Sequence, residues 1–208
     1  MSWLDAVRVI AITDRRLMVP PALLAAGNWP PIADAFGASI ARVLAGTPPG
    51  AIAIQLREKD LDGSPLLVLA RAALTACRAA GAKLLVNDRL DVALAAGADG
   101  VHLPEAGLSI AEARALAPHL VIGCSRHAAD VSAEAADLLH LGPIWPTPSK
   151  AGMGEPLGLA ALALATSAHL VAVGGIDSAS RAREAREAGA DAVAVIRAAW
   201  TGDLHALL

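Results

Sequence analysis

Gln55, Arg57 and Lys59 are spaced by two, so an extended backbone sets all three on one face. Two cations beside an amide suit a phosphate or a carboxylate, the guanidinium acting as a bidentate fork and the ammonium as a point charge. The alternative is that Arg57 pairs with Glu58 or Asp88 and only ties neighbouring segments together. A second group is Gly174-Gly175 with Val195-Ile196. Adjacent glycines let an anion approach main-chain N–H groups, or else make a tight turn and nothing more. Residues 142–154 form a third group, stiffened at the start by prolines and loosened at the end by glycines. Thr147, Ser149 and Lys150 offer anion donors there, and Trp145 and Met153 suit a ligand-covering lid better than a solvated loop. Ser125-Arg126-His127 is a fourth: a histidine beside a hydroxyl can take and return a proton near neutral pH. His102 is a second candidate for that role, whereas His119, His140, His169 and His205 read as structural or surface residues. Cys77 and Cys124 make no CxxC pair, and no HExxH is present, so neither a disulfide framework nor a tight protein metal cage is expected.

Something must bring these groups together. Eight short Val/Ile/Leu-rich runs, at residues 7–13, 51–57, 83–88, 99–104, 121–125, 138–144, 170–176 and 191–196, each end in a Gly, Pro, Asp or Ser cluster. They read as strands buried on both faces. Between them lie alanine-rich amphipathic stretches: one opened by Ser64-Pro65 and closed by Gly81, one opened by Ser109, one opened by Asp177-Ser178 and closed by Gly189. The pattern predicts an α/β chain folded as a small (β/α)8 TIM barrel. An open doubly wound sheet would leave strands over, and no GxGxxG follows the first run. Active sites of such barrels sit at the C-terminal strand ends, where the groups above all fall, with Gln55 nearest the interior and Arg57 and Lys59 at the mouth. Residues 19–31, with four prolines, read as a loop or lid after the first strand. One domain over residues 1–208 is expected.

Composition narrows the partners. With 17 Lys and Arg against 20 Asp and Glu, the formal charge is −3, so there is no general field for nucleic acid. Four Trp and one Phe provide no base-stacking platform. No apolar run reaches the roughly 18 residues of a membrane span, and the acid at Asp5 argues against a signal peptide. A cytoplasmic enzyme acting on a small molecule is expected, without nucleic acid or membrane. A homodimer is left open: Trp3 and Trp200 either mark a contact or cover a barrel end.

Taken in order, these segments resemble the thiamine phosphate synthase/TenI superfamily along nearly the whole chain. They are Gln55-Leu56-Arg57-Glu58-Lys59, Asn87-Asp88-Arg89 with Asp91, and residues 98–103, 123–127, 142–150, 173–176 and 189–196. The resemblance implies a (β/α)8 barrel with one of two activities. In the synthase, Gln55, Arg57, Lys59, Asn87 and Lys150 would hold a hydroxymethylpyrimidine diphosphate and Asp88 would bind Mg2+, the diphosphate leaving as a thiazole phosphate is joined on. The synthase pattern expects Gly-Gln-x-Asp after the fourth strand; here stands Pro104-Glu105-Ala106-Gly107, without the second carboxylate unless Glu105 replaces it. Where the synthase usually has a serine near the thiazole phosphate, the chain has Ile196-Arg197. Leu103-Pro104, Gly107 and Ser109 look more like the TenI-type thiazole tautomerases. These need no metal; a histidine matching His127 moves a proton, and the phosphate sits on the Gly175 and Ile196 amides. The tautomerase is therefore the leading expectation and the synthase the alternative. A barrel that binds thiamine precursors without turnover, with Arg197 crowding the phosphate site, is the third.

Overall fold

A computed structural model of the chain describes residues 2–128, 135–147, 155–163 and 166–208. Eight parallel strands, β1 Val9–Ile12, β2 Ile52–Leu56, β3 Lys83–Asn87, β4 Gly100–Leu103, β5 Val121–Arg126, β6 Leu138–Leu141, β7 His169–Val173 and β8 Ala192–Val195, pair in chain order. β8 returns to β1 through Val9↔Val193 and Ala11↔Val195, so the sheet is closed. The (β/α)8 barrel expected from the eight runs is the observed fold.

Alternation along each strand sorts the side chains into two shells. Ile10, Ala53, Leu85, Leu138, Val171 and Ala192 fill the interior, and Leu4 and Val7, beside the 3-10 turn Trp3–Ala6, close its floor. Val9, Ile52, Ile54, Leu84, Val86, Ile122 and Leu170 face outward into a continuous core under the helices. Gly100 fits where no side chain would: a Cβ there would stand 2.5 Å from Val121 O and 2.6 Å from Leu85 Cδ2.

The helices are α1 Arg15–Met18, α2 Pro21–Ala26, α3 Trp29–Leu44, α4 Gly63–Ala80, α5 Leu90–Ala96, α6 Ile110–Leu116, α7 Ala179–Glu187 and α8 Arg197–Thr201. Ser109 and Ser178 cap α6 and α7 as the sequence suggests, Ser109 in a full capping box with Glu112. Gly81, left-handed at φ 69, ends α4. The N-cap of α4 is Asp62 rather than Ser64; Pro65 still lies in the first turn, where a missing N–H costs nothing. Residues 19–31 are not the expected loop. Pro20 and Pro21 start α2, and Pro30 and Pro31 stand in the first turn of α3, so the four prolines are helix openers with φ preset for the helix. Phe36 and Ile40 of α3 and Leu69 and Ala73 of α4 are fully buried, α3 packing against α4 and α4 against β2.

Trp200 is neither an exposed contact nor a cover over the barrel end; it packs in the layer between helices and sheet, whereas Trp3 packs against the interior cluster. Trp200 is 8% exposed, and its indole N–H donates to Ile12 O at 2.7 Å, pinning α8 to the end of β1. Trp200→Phe keeps the ring but orphans that buried carbonyl, and should cost about 1–3 kcal/mol of unfolding free energy. Urea denaturation measures this; a loss within error of zero would mean the bond contributes nothing.

Candidate active site

At the rim between β1 and β2, a buried carboxylate organises the backbone. Thr13 Oγ1 donates to Glu58 Oε1 at 2.8 Å and accepts the Arg57 N–H at 2.9 Å. Arg15 donates to the same carboxylate through its main-chain N–H at 3.0 Å and its guanidinium at 2.9 Å. Its fork then continues to Asp60 at 2.7 and 2.8 Å, which Arg16 also reaches at 2.9 Å. Burial pushes the Glu58 carboxyl up while its bonds to Arg15 and Thr13 pull it down. Arg15 holds Asp60 well below the usual carboxylate range.

Arg57 therefore does not pair with Glu58 or Asp88; among the described residues no carboxylate lies within ion-pair distance of Arg57 or Lys59. Both border a cavity of about 220 Å³ with Thr13, Arg16 and Ile196. One expectation needs correcting: β2 ends at Leu56, so Lys59 lies on an exposed turn and the period of two does not carry to it.

Further round, Gln55 is buried, and its Nε2 donates to Asn87 Oδ1 at 3.3 Å while its Oε1 has no partner. Asp88 follows in the left-handed region at φ 67, exposed, its N–H donating to His102 O at 2.8 Å. Gly107 lies against it: a Cβ there would be 3.1 Å from Asp88 Oδ1 and 2.9 Å from the Pro104 ring. Glu105 is not turned to Asp88, since its Oε2 stands 2.9 Å from His127 Nδ1. Asp88 is then the carboxylate available to a cation. One carboxylate suffices for Mg2+ when phosphate oxygens supply other ligands, so the residues present fit that ion if a diphosphate binds with it.

His102 does not play the part of a neutral-pH base. It lies inside the barrel, 1% exposed, with Nε2 2.8 Å from Ser125 Oγ and its ring 4.1 Å from that of His140. Burial, aided by Arg57, pushes its pKa down to about 3. His140 is driven well below its ordinary value by burial and by His102 and His169. Both cysteines are buried packing residues; burial pushes the Cys77 thiol up to about 12 and raises Cys124.

On the far side, Gly174 and Gly175 hold φ 97 and 73. The glycines are required less by a ligand than by the β6 loop: a Cβ would lie 2.7 Å from Pro143 Cα at the first and 2.6 Å from Trp145 Cβ at the second. Arg181 donates to Gly175 O at 2.6 Å and stacks over the Trp145 ring at 5.4 Å. Among the described residues the Gly175 and Ile196 N–H groups bond no acceptor. Val195 ends β8 buried, Ile196 caps α8, and Arg197 is exposed at its first residue. Thr147 is half-buried beside Pro146. Ser149 and Lys150 lie outside the described residues. Sequence reasoning missed Thr13, Arg15 and Arg181 as organisers and offered Glu58 only as a partner for Arg57; the polar residues that close the first run and follow it, Thr13-Asp14-Arg15, were the signal within reach.

The chain is similar to known proteins along most of its length. A family model described as thiamine monophosphate synthase matches residues 30–199. A thiamine-phosphate synthase of Methanoculleus marisnigri is 48% identical over 157 residues, 72% of this chain and 74% of that one. The thiamine-phosphate synthase of Chlorobium luteolum is 44% identical over 157 residues, with the same two shares. A solved thiamine phosphate pyrophosphorylase from Pyrococcus furiosus superposes with a TM-score of 0.79 at 31% identity, covering 99% of this chain and 94% of that one.

The buried histidines set a pH dependence. Unfolded, His102 and His140 protonate near pH 6.5, and folded they stay neutral. The unfolded state then binds more protons below that pH, so stability is full above it and lost on acidification. The raised pKa of Glu58 acts in the opposite sense at lower pH. From pH 6.5 to 5.5 each histidine should cost about 1 kcal/mol, because half a proton is already bound in the unfolded state at pH 6.5. Urea unfolding across that range measures the slope, and His140→Phe should flatten it by one proton; an unchanged slope refutes the assignment.

Proposed function

The chain belongs to the thiamine monophosphate synthase family, and from that premise we propose that it joins a hydroxymethylpyrimidine diphosphate to a thiazole phosphate. The observation that carries this reading is the unpaired charge at the rim. Arg15 and Arg16 are consumed by Glu58 and Asp60, whereas Arg57 and Lys59 are left for an anion. In the reaction the CH2–O bond to the diphosphate breaks, pyrophosphate leaves with the electron pair, and a thiazole ring nitrogen forms the new C–N bond.

Arg57 and Lys59 hold the diphosphate and stabilise the charge that grows on it; the family resemblance adds Lys150, which lies outside the described residues. Gln55, Asn87 and Ser125 hydrogen-bond the pyrimidine end. The N–H groups of Gly175 and Ile196 face the thiazole phosphate, at the loop ends formed by Gly174 and Val195, with Thr147 nearby. Asp88 would hold Mg2+ together with diphosphate oxygens, the ion neutralising charge on the leaving group. This reverses the order of the expectations, because relatives that match most of the chain are named for the synthase; Glu105, bound to His127, does not replace the second carboxylate, so Asp88 would hold the ion with diphosphate oxygens alone.

One contact favours the tautomerase as a second reading. Glu105 orients His127 at 2.9 Å, as a base needs for a metal-free proton shift. Incubating the protein with both substrates and Mg2+, and detecting thiamine phosphate by mass spectrometry, decides between them. The coupling should vanish in EDTA and fall by about a hundredfold or more in Asp88→Asn, because a bound ion is worth several kcal/mol. Glu105→Gln should cost less than about tenfold, since its carboxylate meets His127. Absence of product, alongside an EDTA-resistant tautomerisation that His127→Ala abolishes, would falsify the synthase reading.

A further inference from the structure

We infer that His102 is a positioning residue: held as the Nε2–H tautomer, it donates to Ser125 Oγ and leaves the hydroxyl proton to point from the barrel mouth at an acceptor on the bound pyrimidine diphosphate. What the hydroxyl meets rests on the coupling reaction proposed above; the tautomer does not.

The ring is fixed before any ligand arrives. Its Nε2 stands 2.8 Å from Ser125 Oγ. One face lies against His140, centroids 4.1 Å apart and planes tilted by 39°. Its Nδ1 edge abuts Gly123, where a Cβ would come within 2.8 Å. Nδ1 has no hydrogen-bond partner and is sealed from water. A neutral imidazole carries its proton on one nitrogen only, so the choice is between a stranded donor and a stranded acceptor at Nδ1. Orphaned buried N–H groups are the rarer of the two in folded proteins, while a lone pair is left unmet more readily. The proton therefore belongs on Nε2, where the serine oxygen accepts it. Burial and the nearby Arg57 keep the ring uncharged at neutral pH, so both nitrogens cannot donate at once.

The consequence falls on Ser125. An isolated serine hydroxyl rotates among its positions and acts as donor or acceptor. With one lone pair of Oγ held by His102, its hydrogen is directed away from the ring. Ser125 is half-buried near the C-terminal end of β5, at the rim that carries Arg57 and Asp88. The side chain becomes a dedicated donor, pre-aimed at the substrate.

Long-range 1H–15N NMR of the histidine-labelled full chain reads the tautomer directly, with His102→Gln assigning the resonance. A protonated Nε2 and a bare Nδ1 are expected; a proton on Nδ1, or an average of the two forms, overturns the inference. A double-mutant cycle then asks whether His102 acts through Ser125. His102→Leu and Ser125→Ala should each lower kcat/KM for coupling by about three- to tenfold, as loss of one hydrogen bond to a neutral group does. The double variant should be no worse than the poorer single one, and His102→Gln, which restores a side-chain N–H, should recover most of the loss. Multiplying losses, or no gain from Gln over Leu, overturns it. If the wild type makes no thiamine phosphate, the functional reading fails alone. The same cycle is then read as calorimetric affinity for hydroxymethylpyrimidine diphosphate, and the tautomer stands as measured. If the Leu variant does not fold, the tautomer and the Gln and Ala variants decide.

Discussion

A carboxylate taken out of water must be fully bonded or it destabilises the fold, and Glu58, 6% exposed, meets that demand with Thr13 and Arg15. Three consequences follow from this one arrangement. The end of β1 is tied to the chain leaving β2, because Thr13 also takes the Arg57 N–H. The guanidinium of Arg15 is committed, so it does not compete for a ligand. Arg57, with no acid left to claim it, keeps its charge at the mouth. A local desolvation problem thus determines which cation is available for chemistry.

The barrel interior changes character from bottom to top. Ile10, Leu85, Leu138 and Val171 make an ordinary apolar packing layer. Above them come Gln55, His102, His140 and Ser125, polar groups that a stability-optimised interior would have replaced. Their bonds to one another are incomplete, since Gln55 Oε1, His102 Nδ1 and His140 Nε2 have no partner. Unmet polarity next to an opening is where a protein gives up stability to hold groups ready. Gly100 and Gly123 provide the room, each standing where a methyl group would collide with a neighbour.

The architecture was legible because its signals are local: eight apolar runs, serine caps before α6 and α7, a glycine after α4. What misled was local too. Prolines clustered at 20–21 and 30–31 suggest a loop, yet proline suits the first helical turn equally well, and only the packing of Phe36 and Ile40 makes α3 worth forming there. Spacing put Lys59 on the strand face of Gln55, but nothing in the residues marks that β2 stops at Leu56. Long-range partners were out of reach. Arg15 meets Glu58 across 43 positions, and Glu105 meets His127 across 22. His102 looked like a mouth histidine because its burial depends on β5 and β6, which the fourth run cannot announce.

Asp88 carries its carboxylate on a backbone turned to φ 67, a conformation that β-branched and bulky residues reach only with strain. With the Mg2+ role proposed above, two unrelated demands would fall on one position. Asparagine or glycine would keep the turn and forfeit the anion, while glutamate would keep the anion on a longer arm that starts from a less tolerant backbone. Few of the twenty amino acids meet both, so the corner after β3 tolerates little substitution, and Gly107 opposite is confined in its turn, since a Cβ there would stand 2.9 Å from the Pro104 ring.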